Sequence, residues 1–188
     1  MTNLSKTKFL TLIVVCAGLN LGIGFIVATI KLPFYLDSIG TVLATMLGGV
    51  WAGIACGILA VLVGSAYSPT LWAYAGTAIS IAIYVSVVRR GGYLQKPLPT
   101  ILYGLGLGVV TAIVSAPVTT YIWKGVSLSG ADALTAFFSA TGETLVNSVV
   151  LGGLSTDPID KLVTSLVVFA LVRRLPQKWL AQNPTEEK

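Results

Sequence analysis

Carboxylates are the main side chains that could transfer protons or bind a charged ligand in this sequence of 188 residues, which contains no histidine. The chain therefore lacks the commonest general base and metal ligand. Its two cysteines, Cys16 and Cys56, lie in separate apolar runs and form neither a CxxC pair nor a disulfide framework, so we interpret them as buried core residues. No phosphate-binding GxxxxGK[ST] loop is present. These residue types favour ligand binding over catalysis, and we predict no enzymatic activity, metal site or cofactor.

Several of the carboxylates stand where helices are predicted to begin. A Ser, Thr, Asp or Asn just before a helix accepts hydrogen bonds from its first free backbone N–H groups. Two interpretations stay open: the side chains only cap their own helices, or converging N-termini also present amide donors to a bound molecule. The three predicted starts are LDSIG, with Asp37 or Ser38 as the cap; YSPTLW, with Ser68 as the cap and Pro69 in the first turn; and STDPIDK, with Asp157 as the cap, Pro158 first in the helix and Asp160 at the capping-box position.

A second polar group lies in the segment 131–151. Glu143 and Asn147 are four residues apart, so they share one face of a helix. Placing an ionised residue in apolar surroundings costs about 2.5–3.5 kcal/mol, so such a residue is kept where it meets water, a partner or a ligand. Glu143 and Asn147 are either solvated or the best hydrogen-bonding pair for a ligand. Asn20, midway along the first apolar run, is expected to face the interior.

The composition places these residues in a membrane protein. Apolar residues make up 55% of the chain and charged residues 10%, with a mean hydropathy of +0.87; soluble domains have about 25% charged residues. Long uncharged stretches therefore predict an integral membrane protein with a single domain, 1–188. We interpret the net charge of +5 as membrane topology and predict no nucleic-acid partner.

The stretch 36–66 decides the topology. As one helix it would be roughly 46 Å long, too long for a hydrocarbon core of about 30 Å, and it contains Gly48-Gly49 near its middle. A reversal at these glycines places Arg89 and Arg90 on the same side as Arg173 and Arg174, as the positive-inside rule requires. The sequence therefore predicts two short helices that form a hairpin.

The remaining segments complete an all-α fold. We predict six transmembrane helices, with both termini in the cytoplasm, and a helix on the outer side before the last span. The acids outside the C-terminal tail then fall on the outer side, together with many aromatic residues that could equally form an interfacial belt. The predicted spans are 9–30, 36–48, 50–66, 71–88, 98–122 and 159–175, and the outer-side helix is 131–151.

This pattern resembles the substrate-binding (S) components of energy-coupling factor (ECF) transporters. The resemblance covers most of the chain and rests on its length, six spans, LDSIGTVLATMLGGVWAGIACGI in the short hairpin, the basic loop RRGGYLQK and the final segment DPIDKLVTSLVVFALVRRLP. It implies capture of a vitamin or similar micronutrient outside a prokaryotic plasma membrane. It also implies a transmembrane scaffold subunit and two ATPase subunits as partners.

The resemblance also implies where the ligand and the scaffold bind. Members of the family meet the scaffold through small residues in the first helix, and the matching positions here are Gly18 and Gly22 of a GxxxG motif, with glycine where alanine is usual. Packing within the protein is the alternative role of this motif. The pocket residues that the resemblance implies are Tyr35, Asp37, Trp72, Tyr74, Glu143, Asn147, Asp157 and Asp160.

The ligand and the function class each leave alternatives. Aromatic residues next to carboxylates suit a neutral or cationic ligand with an aromatic ring, such as a pyrimidine, a nucleoside or a thiamine-like compound. The main alternative function is a membrane sensor or assembly module that transports nothing. A small intramembrane enzyme and a carrier that works alone are further alternatives.

Overall fold

The structure, a computed structural model, describes residues 5–127 and 129–175. Within these ranges the chain is entirely helical, without a β-strand, which confirms the predicted all-α class. Short 3-10 turns at Leu71–Tyr74 and Arg89–Gly91 flank the fourth helix, and a π-helical turn at Val118–Ile122 extends the fifth. The seven helices are α1 (Lys6–Thr29), α2 (Ile39–Gly48), α3 (Val50–Gly64), α4 (Ala75–Val88), α5 (Pro97–Pro117), α6 (Asp132–Ala140) and α7 (Leu145–Arg174).

Several of these helices suit a lipid environment. The segments Lys6–Thr29, Leu71–Gly91 and Pro97–Ile122 are long and apolar enough to cross a membrane. The helices α2 and α3 are apolar but shorter, at about 15 and 22 Å. The helix α7 is long enough, but it carries Asp157, Asp160 and Lys161 near its middle. Together the apolar helices indicate a membrane protein.

The predicted hairpin is present. The helix α2 ends at Gly48 and α3 begins at Val50, and Gly49 between them has a φ of 83°, a conformation that glycine adopts without steric cost. Thr45 of α2 contacts Gly53 of α3, whereas Thr41, one turn earlier, lies beside Gly57, one turn later. This opposite order shows that α2 and α3 run antiparallel.

The later helices also alternate in direction, so the bundle has two distinct ends. We call the end that carries Arg89, Arg90, Arg173 and Arg174 the arginine end. We call the opposite end, where α1 passes into α2, α3 into α4 and α5 into α6, the cavity end. Between α4 and α5, Tyr84 contacts Gly106, and Tyr74, just before α4, contacts Thr119, just after α5. Between α5 and α7, Gly104 contacts Ser165 and Gly108 contacts Pro158. In both pairs of helices the order of the contacts is antiparallel.

The loop between α4 and α5 closes the arginine end. Tyr93 and Leu94 belong to this loop, yet both are almost completely buried in the main apolar core, beside Val168 and Val172 of α7. The Tyr93 hydroxyl lies 2.6 Å from Ser165 Oγ. The apolar core therefore fills this end of the bundle.

The segment 131–151 differs from the predicted single outer-side helix. It contains the short helix α6, a turn at Gly142 with a φ of 95°, and the first residues of α7. The helix α7 then continues without a break to Arg174, so the predicted separate last span, 159–175, is the second half of a 30-residue helix. The prediction failed here because the S-T-D-P motif is typical of a helix start, while the structure continues the helix through it.

Two of the three predicted caps are consequently wrong. Asp157 and Pro158 lie inside α7, where the proline removes one backbone hydrogen bond and its ring crowds the carbonyl group four residues earlier. Ser68 does not cap either, because the helical turn after it begins at Leu71 and Thr70 precedes it. Ser38 does occupy the N-cap position of α2, but its side chain makes no capping hydrogen bond.

Candidate functional site

A cavity of about 170 Å³ lies among the helices near the cavity end of the bundle. Residues from α1 to α5 and from α7 line it, together with the loops at this end. Phe34, Tyr35, Tyr67 and Tyr74 contribute aromatic rings to its wall. The remaining wall is mostly small aliphatic and hydroxyl side chains. The cavity can therefore enclose an apolar body and offer hydrogen bonds at selected points.

Asn20 holds the start of α2 against this cavity. Its Oδ1 accepts a hydrogen bond of 2.6 Å from the Gly40 N–H, and its Nδ2 donates to Thr41 Oγ1 over 2.9 Å. Gly40 is the second residue of α2, so its N–H has no partner within the helix. Asn20 thus caps α2 from a neighbouring helix. Its burial confirms the prediction that it faces the interior.

Gly40 itself permits this capping. A Cβ atom at Gly40 would lie 1.9 Å from the Cys16 carbonyl oxygen. The backbones of α1 and α2 therefore approach each other as closely as only glycine allows.

An acid–base pair on α7 binds the loop between α1 and α2. Asp160 Oδ1 accepts hydrogen bonds from the backbone N–H groups of Tyr35, at 2.9 Å, and Leu36, at 2.8 Å. Leu36 has a φ of 48°, a left-handed conformation that costs a non-glycine residue energy. Asp160 therefore caps this loop, and not the start of its own helix as its place in the sequence predicted.

Lys161 completes this network. Its Nζ contacts Asp160 Oδ2 and donates to Ser38 Oγ over 2.9 Å. The same ammonium group lies 3.8 Å from Asp37 Oδ1 and 6.0 Å from the centre of the Tyr35 ring. Lys161 lines the cavity, whereas Asp160 is fully buried behind it.

Tyr35 separates the main cavity from a smaller one. The second cavity, about 20 Å³, shares Tyr35 with the first and is lined by Asp157 and Asp132. Burial, with the negative charge of Asp157 as a further cause, raises the pKa of the Tyr35 phenol well above its usual range. Tyr35 is therefore a neutral hydroxyl at the boundary between the two cavities.

The loop before α6 forms part of the wall. Asp132 Oδ1 accepts a hydrogen bond of 3.0 Å from the Ser127 N–H, and its Oδ2 accepts one of 3.2 Å from the Ser129 N–H. Gly130 contacts the loop between α1 and α2, because a Cβ there would lie 2.1 Å from the Leu32 carbonyl oxygen. The two loops thus meet at the cavity end.

The structure brings together only part of the predicted pocket. Tyr35, Asp37 and Tyr74 line the main cavity, and the Tyr74 hydroxyl is fixed by Thr119 Oγ1 at 2.8 Å. Asp157 lines the smaller cavity, and Asp160 reaches the site only through the loop and Lys161.

The other three predicted pocket residues do not line the main cavity. Trp72 is 55% exposed and packs edge-on against Trp123. Glu143 and Asn147 are exposed and bond to each other at 2.9 Å, which matches the solvated interpretation of this pair.

Lys161, Phe34 and Tyr67 line the cavity but were not among the predicted pocket residues. Lys161 follows Asp157 by four residues, and this spacing could have placed both side chains on one helix face. Phe34 and Tyr67 carry no comparable signal, because apolar and aromatic residues are common throughout the chain.

Gly18 and Gly22 lie on an exposed face of α1. A Cβ at either position would meet no atom within 4 Å. Neither glycine therefore packs closely against another helix among the described residues.

Comparison with models of protein families, with curated proteins and with solved structures finds no match. Among the described residues no group of three or more His, Cys, Asp or Glu side chains is placed to hold a metal ion. The site must therefore be interpreted from its own geometry.

Proposed function

We propose that this protein is the substrate-capturing membrane subunit, the S component, of an ECF-type uptake transporter. In this proposal the chain crosses a prokaryotic plasma membrane six times. The arginine end and both termini face the cytoplasm, and the cavity end faces outward. A scaffold subunit and two ATPase subunits would supply the energy for import.

The observation that carries the proposal is the cavity near the end opposite the arginines. Arginine and lysine concentrate on the cytoplasmic side of membrane proteins. In this orientation a pocket at the other end would be accessible from outside, as capture requires. Its aromatic wall and few fixed polar groups are typical of small-molecule sites.

The size of the cavity bears on the ligand. A cavity of about 150 Å³ accommodates benzene. At about 170 Å³ the present site accepts a single ring with small substituents. A pyrimidine-sized micronutrient fits this volume better than a nucleoside or a larger vitamin.

The open face of α1 supports docking to a membrane partner. Gly18 and Gly22 are exposed and leave room for a helix to approach the α1 backbone closely. The proposal places the scaffold subunit on this face. Gly22→Leu should then weaken association with the scaffold, as measured by co-purification, while small-molecule binding persists.

Native mass spectrometry of gently purified protein tests the proposal. A bound small molecule should be released on activation and identified by its mass. The labelled compound should then enter cells only when the scaffold and ATPase subunits are expressed with this protein. Ala60→Phe, which fills the cavity from α3, should abolish retention. Ala136→Phe, at an exposed position of α6, should leave retention of the compound unchanged.

Two results would contradict this function. One is the lack of any retained compound together with no thermal stabilisation by a panel of vitamins and nucleosides. The other is tight binding without uptake in the presence of the complete transporter, which would favour the alternative of a membrane sensor.

A further inference from the structure

The charges around the cavity do not balance. Asp37, Asp157 and Asp160 lie at or directly behind its wall, and they interact electrostatically with one another and with Lys161. Lys161 is the only cationic residue that lines the cavity in the described part of the chain. Three carboxylates thus face one ammonium group, a formal excess of two negative charges. In a medium of low dielectric constant an unpaired carboxylate is unfavourable, and either a proton or a bound cation relieves it.

The ammonium group of Lys161 already has hydrogen-bond partners within the protein. Lys161 Nζ contacts Asp160 Oδ2 and donates to Ser38 Oγ. Asp160 in turn uses its other oxygen for two backbone N–H groups. The Asp160–Lys161 pair therefore holds the loop between α1 and α2, and only a longer ion pair of 3.8 Å joins Lys161 to Asp37.

Asp37 is the carboxylate left for a ligand. Its nearest cation, Lys161 Nζ, lies 3.8 Å away, longer than a direct N–H···O hydrogen bond. Its side chain is 44% exposed and lines the cavity. Both oxygens thus keep free capacity to accept hydrogen bonds from a molecule in the cavity.

The aromatic wall favours the same kind of ligand. Tyr67 and Tyr74 line the cavity with Asp37, and Phe34 and Tyr35 precede Asp37 in the same loop. The faces of such rings attract cations and also pack against apolar rings. A carboxylate among aromatic rings recognises a positive charge attached to a small apolar body.

We propose that the ligand is a small organic cation of about one ring in size, with its positive charge placed against the carboxylate of Asp37. This inference rests on the proposed capture function and names its substrate class. It selects the cationic members of the ligand classes that the sequence left open. Asp157, behind Tyr35, adds a long-range attraction for the same charge.

Matched probes of one shape test the role of charge. The benzylammonium ion, benzyl alcohol and benzoate share a phenyl ring of the required size and differ in charge. Binding to the purified protein is measured by calorimetry, with dissociation constants of ~1 mM expected for molecules of so few atoms. Benzylammonium should bind about tenfold or more tightly than benzyl alcohol, and benzoate more weakly than either.

Variants assign the preference to Asp37. Asp37→Asn should bring the ratio of the two dissociation constants close to one, whereas Asp37→Glu should retain the preference. Glu143→Gln, which removes an exposed carboxylate that does not line the cavity, should leave the ratio unchanged. Melting temperatures of all variants, measured in parallel, identify any loss of folding.

The outcomes separate the charge inference from the capture function. Equal binding of benzyl alcohol, preferred binding of benzoate, or an unchanged ratio in a folded Asp37→Asn variant overturns the inference. So does the failure of all three probes to bind. A neutral or anionic compound retained in native mass spectrometry also overturns it, but leaves the capture function intact. The absence of any retained compound and of uptake removes both.

Discussion

Asn20 shows how one side chain can organise a short helix in an apolar environment. Ser38 stands at the N-cap position of α2 but uses its hydroxyl to accept from Lys161. The Gly40 N–H obtains its acceptor from Asn20 of α1 instead. Where water is excluded, each backbone donor needs a partner in the protein. Asn20 thus joins α1 to α2 and positions the wall of the cavity.

Replacement of Asn20 by leucine should destabilise the protein. Asn20→Leu keeps a similar volume but leaves the buried Gly40 N–H without an acceptor, at a cost of about 1–3 kcal/mol. The melting temperature of the purified protein should fall clearly. Asn147→Leu, an exposed substitution of the same type, should change it little. Equal melting temperatures for the two variants would contradict the capping role of Asn20.

Loss of the lysine in α7 should be more damaging. Lys161→Met removes the partner of Asp160, whose buried carboxylate then lacks a countercharge. Breaking a buried ion pair from one side costs about 3–5 kcal/mol. We expect poor yield and a low melting temperature. Lys31→Met, at an exposed position, provides the control and should behave like the unmodified protein.

At the scale of elements, the contact between α5 and α7 sets the shape of the bundle. A Cβ at Gly108 of α5 would lie 2.2 Å from Pro158 Cα and 2.5 Å from the Asp157 carbonyl oxygen. The backbones of the two helices therefore touch at the point where α7 carries its proline. This contact also places Asp157, Asp160 and Lys161 at the depth of the cavity.

Gly108→Ala should force α5 and α7 apart. Overpacking of a rigid contact costs about 1–3 kcal/mol, and here the atoms in contact belong to backbone that cannot rotate away. The variant should lose both thermal stability and ligand retention. Gly18→Ala, also within a helix but with open space around it, should have unchanged or slightly higher stability. A stable Gly108→Ala variant would show that the two backbones are farther apart.

At the scale of the whole molecule, the alternation of helices concentrates the basic residues at one end, and only Lys31 and Lys124 of the described loops lie at the other. Lys6 and Lys8 lie in the first turn of α1. The helix α2 runs antiparallel to α1 and ends near the arginine end, where α1 begins. The cavity, with Asp37, lies toward the opposite end. This distribution underlies the proposed orientation in the membrane, with the arginine end in the cytoplasm.

Cysteine labelling in intact cells tests that orientation. The native Cys16 and Cys56 are buried, so a reagent that cannot cross membranes should leave them unmodified. We expect Ala140→Cys, at the exposed last residue of α6, to react from outside. Gln95→Cys, exposed in the loop between α4 and α5, should react only after lysis. The reverse pattern would place the cavity in the cytoplasm and contradict the capture of an external ligand.

The sequence by itself determined the helical class, the membrane environment and the hairpin, because these follow from long uncharged runs, paired glycines and the placement of arginines. The family resemblance also pointed to Asp37, Tyr35 and Tyr74, which line the cavity. The tertiary structure decided which carboxylates share a site. Asp157 and Asp160 resembled local caps in the chain, but α7 runs through them unbroken and Asp160 binds a loop more than 120 residues earlier. Such a role depends on how helices pack, and local motifs contain no information about the partner that a distant helix provides.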